Sequence, residues 1–195
     1  MTHWLSCPRC RETYEFNPRL RRCLRCGSPL LLHYELKIGA SELRRRFESR
    51  PRGVWRYLEL LPELGAEALS LGEGGTFLQM ARRLGEELGL RNLYLKNEAT
   101  NPTGSFLDRG ATIEVTGALS WGASYIACVA RGNLAASLAA YSVKAGLSCR
   151  VYALAGAEQG KLLQALAYDA EVFFIRGVEE VLESVDEDGL SLIHI

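Results

Sequence analysis

Leu95-Lys96-Asn97-Glu98-Ala99-Thr100-Asn101-Pro102-Thr103-Gly104-Ser105-Phe106-Leu107-Asp108-Arg109-Gly110 is the stretch on which the reading of this chain turns. Its first residues close an apolar run, Asn92-Leu93-Tyr94-Leu95-Lys96, read as a strand over 92–96. Pro102 and Gly104 then break regular structure, and a helix is expected over 106–120. Ser105 and Asp108 have the S-x-x-D spacing of a capping box, with Ser105 as N-cap. Spacing alone leaves two readings open. The segment is either a plain helix start or a ligand-binding turn, because α/β proteins bind ligands where strands run into helices at the carboxyl edge of a parallel sheet.

Downstream the same alternation continues. Strands are expected at 124–130, 149–154 and 171–175, and helices at 133–145 and 160–168. Leu134, Leu138, Tyr141 and Ala145 recur at helical spacing. Strands and helices joined by short links predict βαβ units and an α/β fold with a parallel sheet. Ala130-Arg131-Gly132-Asn133 is a second strand-to-helix turn. Free N–H groups and the helix dipole there favour an anion, which Arg131 would attract further, unless Asn133 merely caps its helix.

Upstream, helices are expected over 41–50, capped by Ser41 and stopped by Pro51, over 54–61, and over 78–88. Leu71-Gly72-Glu73-Gly74-Gly75-Thr76 fits neither a dinucleotide fingerprint nor a Walker sequence, and on spacing reads as a turn. Cys128 and Cys149 fall on core strands and read as buried free thiols, while Trp55 and Trp121 read as packing residues. His3, His33 and His194 are scattered and suggest no site. The acidic run over 179–188 reads as a solvated helix face.

The N-terminus carries Cys7-Pro8-Arg9-Cys10 and Cys23-Leu24-Arg25-Cys26-Gly27, a C-x2-C-x12-C-x2-C pattern. Two such knuckles offer Cys7, Cys10, Cys23 and Cys26 to one tetrahedral zinc ion, and four thiolates close the site, so its role is structural. Gly27 permits the tight turn. Disulfides are the rival reading, disfavoured where no secretion signal accompanies the cysteines. Arginines between the knuckles raise nucleic-acid binding as a further possibility. The nearby Tyr14, Phe16 and Tyr34 read instead as the few core residues of a minimal ribbon, which makes nucleic acid an unfavoured partner.

The 195 residues are 48% hydrophobic and 24% charged, values that exclude a disordered, collagen-like or mucin-like chain. No apolar run approaches membrane-spanning length, and the first residues lack a basic region followed by an apolar segment, so a cytoplasmic protein is expected. The net charge of zero hides a division: residues 1–60 carry 13 Lys and Arg against 6 Asp and Glu. Lysine is scarce, at Lys37, Lys96, Lys144 and Lys161 only.

Taken together, Leu95 to Glu98, Asn101 to Phe106 and Asp108 to Gly110 resemble the pyridoxal-phosphate segment of the threonine synthase family. Gly132-Asn133 through Tyr141, Leu71 through Thr76, and Gly53-Val54-Trp55-Arg56-Tyr57 with Leu60-Leu61-Pro62 are similar to the same family, some of whose members carry an N-terminal zinc-ribbon-like module. The resemblance implies a parallel-sheet pyridoxal-phosphate fold of type II preceded by a small zinc ribbon, and a lyase converting O-phospho-L-homoserine and water into L-threonine and phosphate. It implies a module at 1–36, a helical linker with the glycine-rich loop at 37–75, and the first part of the catalytic domain at 76–195, the second half being absent. An open sheet cut there is expected to expose apolar faces. A homodimer acting on a small phosphoamino acid is implied as well.

The family's Schiff-base lysine would stand at position 107, where this chain has Leu107. Leucine has no lone pair, cannot form the imine and cannot move protons, so the chain as written is expected to be inactive. By resemblance Asn133 and Phe106 belong to the cofactor site, with Asn133 facing the phenolic oxygen, and Thr103, Ser105, Arg131 and Gly132 belong to the substrate site. Arg131 replaces a small hydroxyl residue and its bulk is expected to fill part of the pocket. Phe77 replaces a proline, a lesser change. A non-catalytic relative that keeps an anion or cofactor pocket is the alternative.

Overall fold

The computed structural model describes residues 3–17, 20, 22–62, 64–130, 132–157, 159–181 and the backbone of 191–194. The chain divides into two compact units, Met1–Pro51 with Arg56–Glu63, and Arg52–Trp55 with Leu64–Ile195.

In the first unit, strands β1 (His3–Ser6), β2 (Thr13–Glu15) and β3 (Leu31–Tyr34) form an antiparallel sheet in the order β2-β1-β3. Leu5, buried at the centre, pairs with Tyr14 on one side and Leu32 on the other. Helix α1 (Ala40–Ser49) follows, then the residues from Arg56 on of a 3-10 segment, Val54–Leu60, whose first two residues belong to the second unit. The cap of α1 is Gly39, with no side-chain bond, so Ser41 lies inside the first turn and is not the N-cap expected from its residue type. Buried Glu59 takes both guanidinium nitrogens of Arg50 at 2.6 Å, and this bond holds its carboxyl down at about 2. Phe47 packs edge-on against Tyr57.

In the second unit, β4 (Leu78–Met80) and β5 (Tyr94–Lys96) form an antiparallel ribbon, with α2 (Arg82–Leu88) between them. The helix expected over 78–88 therefore starts four residues late. Leu78, Gln79 and Met80 pair with Lys96, Leu95 and Tyr94, and the Ala81 N–H reaches the Leu93 carbonyl at 2.9 Å, drawing this backbone into a sheet. By the same pairing, the strand expected at 92–96 belongs to this ribbon and not to the parallel sheet.

The rest follows the alternation: α3 (Asp108–Ser120), β6 (Tyr125–Ala130), α4 (Asn133–Ala145), β7 (Ser148–Leu154), α5 (Gln159–Ala167), β8 (Glu171–Ile175) and β9 (Ser191–His194). Strands β8-β7-β6-β9 lie side by side and all parallel. The core lies between this sheet and the helices, around Val115, Ile126, Leu138, Tyr141, Val151 and Leu162. Each such buried aliphatic contributes roughly 1.5–3 kcal/mol. The buried alanines of α4, including Ala135, Ala136, Ala139 and Ala140, let that helix pack close on β6 and β7. Cys128 and Cys149 are buried free thiols, as read from the sequence, and burial pushes both up. Trp55 does more than pack, since its indole N–H donates to the Thr112 hydroxyl at 2.9 Å. Among the described residues no helix is long and apolar enough to cross a membrane. Apolar side chains stand in solvent at Phe77, 73% exposed, and Phe174, 78% exposed. Of the acidic run, 182–188 lies outside the described residues.

Candidate active site

The turn between β5 and α3 is fixed by two carboxylates, one near each end. Glu98 receives Arg109 twice, Nε to Oε2 and Nη2 to Oε1, both at 2.8 Å, together with the Thr76 hydroxyl at 2.6 Å and Asn101 Nδ2 at 3.0 Å. A forked guanidinium–carboxylate pair of this kind fixes direction as well as distance. The Arg109 guanidinium, helped by Thr76, holds the Glu98 carboxyl down at about 2. Asp108, 0% exposed, accepts the Thr103 N–H at 2.8 Å and the Thr103 hydroxyl at 2.6 Å. With its own proton spent on Asp108, the Thr103 oxygen accepts from Ser137 on α4 at 3.1 Å.

These bonds correct the capping box. Asp108 is taken by Thr103 and does not reach back to Ser105, while the Ser105 hydroxyl accepts the Leu107 N–H at 3.2 Å. The helix consequently starts at Asp108 with Leu107 in the cap position, two residues later than expected.

A third carboxylate closes the glycine-rich loop. Glu73, 1% exposed, accepts from the Tyr141 hydroxyl at 2.7 Å, the Leu71 N–H at 3.0 Å and the Ser70 hydroxyl at 3.0 Å. Its partner Tyr141 is pushed up by burial, then by this bond. The loop is joined to the turn by the Gly74 N–H, which donates to Asn101 Oδ1 at 2.9 Å. Gly74 sits at φ 82°, and a Cβ there would fall 2.9 Å from Arg109 Nη1, so only glycine fits. What reads as a plain turn on spacing is therefore a latched element.

Of the residues read as site residues, Thr103 and Ser105 are buried, Leu107 is half-buried and Phe106 is 61% exposed. Asn133 opens α4 and is exposed; Gly132 is the cap and no side-chain bond closes it, so Asn133 does not cap its helix. Ser137 stands one helical turn beyond Asn133, on the same face, so its bond to Thr103 brings the turn to the first turns of α4. Arg131 lies outside the described residues. The site thus gathers at the carboxyl end of β6, the edge where parallel sheets place ligands.

The resemblance leads one to expect a lysine at position 107. Leu107 offers no amine, Lys96 donates to the Thr76 carbonyl, and Lys161 donates to Gln164 Oε1 at 3.1 Å and to the Thr103 carbonyl at 3.4 Å. Lys144 is exposed in the last turn of α4, at the end opposite Asn133. Sequence reasoning missed the Glu98–Arg109 fork, the Glu73–Tyr141 bond and the Lys161 contact. Tyr141, a polar tip within an apolar helical stripe, was the one available signal.

In the first unit Cys7, Cys10, Cys23 and Cys26 present four sulfurs within 4.8 Å of one another. Cys7 and Cys26, and Cys10 and Cys23, stand 3.4 Å apart, and Cys10 and Cys26 stand 3.6 Å apart; all four are free thiols. Zinc–sulfur bonds of about 2.3 Å set tetrahedral edges of about 3.8 Å, so the cluster has the size of a zinc cage. The knuckles are near copies. Arg11 and Gly27 return their N–H groups to the Cys7 and Cys23 carbonyls at 2.9 and 2.8 Å, with φ of 63° and 69°. The Tyr14 hydroxyl contacts Cys23 Sγ at 3.1 Å, an interaction that draws the thiol down to about 6 and pushes the phenol up to about 12.

Residues 69–190 match the family model described as pyridoxal-phosphate dependent enzyme. Threonine synthase of Methanocaldococcus jannaschii is 42% identical over 187 residues, 93% of this chain and 45% of that protein. Threonine synthase of Methanosarcina acetivorans is 40% identical over 177 residues, 89% of this chain and 42% of that protein. The chain thus spans less than half the length of these curated relatives. Among solved structures, a pyridoxal 5'-phosphate-dependent aspartate racemase superposes with a TM-score of 0.58 at 21% identity, over 84% of this chain and 46% of that one, a likeness of fold. With most of its length inside the family model, and threonine synthases alike along nearly all of it, the chain belongs to the pyridoxal-phosphate dependent enzyme family as a relative of the threonine synthases.

Proposed function

We propose that this chain is the N-terminal part of a threonine synthase-like lyase of the cytoplasm, acting in amino-acid biosynthesis on O-phospho-L-homoserine, and that with Leu107 it does not turn over. The reading is supported by the turn over 97–110, whose Glu98–Arg109 and Asp108–Thr103 bonds are complete around a residue that cannot react. Pyridoxal phosphate, when held by an amine, supplies an electron sink for carbanion chemistry. The polar frame fits such a site: Ser105 and Thr103 line the turn, and Asn133 opens the adjacent helix. The covalent hold does not fit, since both nearby amines are engaged with backbone carbonyls. No step of the reaction is therefore assigned to this chain's residues. Thr103, Ser105, Gly132 and Arg131 are proposed to face the phosphoamino acid, Asn133 and Phe106 the cofactor.

The four cysteines are proposed to hold one structural zinc within a module over 1–36, followed by the linker at 37–75 and the catalytic part at 76–195, in a homodimer. Leu107 also favours a second reading, a non-catalytic relative that binds cofactor or phosphoamino acid without chemistry. Incubation with pyridoxal phosphate and O-phospho-L-homoserine, followed by inorganic phosphate assay, separates the outcomes. No release above the blank is expected; sustained release with threonine formed contradicts the inactive state. Calorimetric binding of either compound without release selects the second reading.

A further inference from the structure

We propose that Tyr14 is a positioning residue of the cysteine cluster, its hydroxyl donating a hydrogen bond to the Cys23 thiolate when the four sulfurs hold a metal. The inference rests on the zinc reading above and concerns a residue whose sequence pattern marked it only as ribbon core.

The direction of the bond follows from its neighbours. The Leu24 N–H donates to the Tyr14 oxygen at 3.1 Å, so that oxygen is engaged as an acceptor and its own proton is free to point at Cys23 Sγ, 3.1 Å away. A thiolate bound to a cation has no proton to give, which leaves the phenol as the donor. The ring is fixed independently: Tyr14 is the middle residue of β2, paired with Leu5 of β1, and is half-buried. Its place in the chain gives the bond a further consequence. β2 follows the first knuckle, whereas Cys23 opens the second, so a single hydroxyl joins the two halves of the cage across nine residues. The Cys7 sulfur, at the corresponding place in the first knuckle, is reached by the Cys10 N–H at 3.5 Å, a bond within one knuckle. The two knuckles match in their backbone bonds and differ in this side chain.

Partners just outside a metal's ligands set ligand orientation and basicity, and their loss weakens metal affinity by about 10–100-fold. A hydrogen bond also lowers the energy of the sulfur lone pairs, so its removal moves the sulfur-to-cobalt charge-transfer band to longer wavelength. The experiment uses the full chain as wild type, Tyr14→Phe and Tyr34→Phe, the last deleting a hydroxyl in the same unit that does not touch sulfur. Zinc content is measured first: wild type without bound zinc removes the reading on which the inference rests. With zinc at one per chain, chelator competition is expected to show Tyr14→Phe binding about 10–100-fold more weakly, with Tyr34→Phe unchanged. The cobalt-substituted Tyr14→Phe protein shows the red-shifted band, which a purely structural role of the ring would not produce. Fluorotyrosine placed at position 14 keeps ring and hydroxyl, strengthens the donor and shifts the band the opposite way, so the test stands even where Tyr14→Phe fails to fold. Unaltered zinc affinity in Tyr14→Phe, or a cobalt band that does not move in either variant, overturns the inference and leaves the zinc reading intact.

Discussion

The cysteine cluster and the turn over 97–110 are built alike and end differently. Each is a short loop whose backbone is fixed by hydrogen bonds of its own, apart from the side chain it presents. In the cluster, Cys7 and Cys23 N–H groups donate to the Glu12 and Ser28 carbonyls, both at 2.8 Å, and all four sulfurs that the proposed zinc requires are in place. In the turn, Glu98 and Asp108 hold the backbone, and the residue presented is Leu107. The lesson is that such a frame is independent of what it presents. Leu107 enters the frame through its backbone, accepting the Ala111 N–H at 2.9 Å, and any helix-compatible residue does the same. Losing the ligands should dismantle the first region, while changing residue 107 should leave the second standing.

The largest effect is expected from metal removal. Structural zinc contributes on the order of 10 kcal/mol to a small module, so chelation should unfold the region of β1–β3, read as loss of protease resistance over 3–36, with α3–α5 retained. Next is Asp108→Ala, which leaves the Thr103 N–H and hydroxyl without their buried acceptor. Bonds to a charged group at about 1.5–3 kcal/mol each set a loss of about 3 kcal/mol or more in urea unfolding.

The Glu98–Arg109 fork carries a pH dependence of defined sign. Glu98 is held at about 2, below the usual carboxylate value, so its contribution is complete above roughly pH 4.3 and is lost as pH falls toward 2. Urea melts from pH 7 to pH 3 should show Glu98→Gln weaker at neutral pH and less acid-sensitive than wild type. The two knuckles sharpen the comparison at its smallest scale. Arg11 holds a left-handed φ of 63° where its counterpart is Gly27, so Arg11→Gly should stabilise by about 0.5–1 kcal/mol and Gly27→Ala destabilise by a similar amount.

The sequence carried the alternation from Tyr125 onward because its helices and strands are set by local periodicity. Buried Leu138 and Tyr141, with half-buried Leu134, recur at a helical spacing that two turns of helix suffice to reveal. The ribbon was misread because the partner of Leu78 is Lys96, eighteen residues away, and nothing local marks Phe77-Leu78-Gln79-Met80 as a strand. Ser105, Asp108, Ser41 and Asn133 have the residue types of caps, yet Asp108 prefers Thr103, Ser105 takes the Leu107 N–H ahead of the helix, and neither Ser41 nor Asn133 is the cap of its helix, so composition overstated their roles. Within the site, resemblance to the family marked Thr103, Ser105 and position 107. It could not bring in Glu73 and Tyr141, 68 residues apart, whose bond exists only once α4 packs beside the loop.

The most direct test of the central claim, a complete frame around an unreactive residue, is borohydride reduction with equimolar pyridoxal phosphate followed by peptide mass mapping. Wild type should retain no stoichiometric pyridoxyl label at Lys96 or Lys161, while Leu107→Lys, with unchanged circular dichroism, should carry it at position 107. A labelled lysine in wild type, or an unlabelled but folded Leu107→Lys chain, would contradict the account.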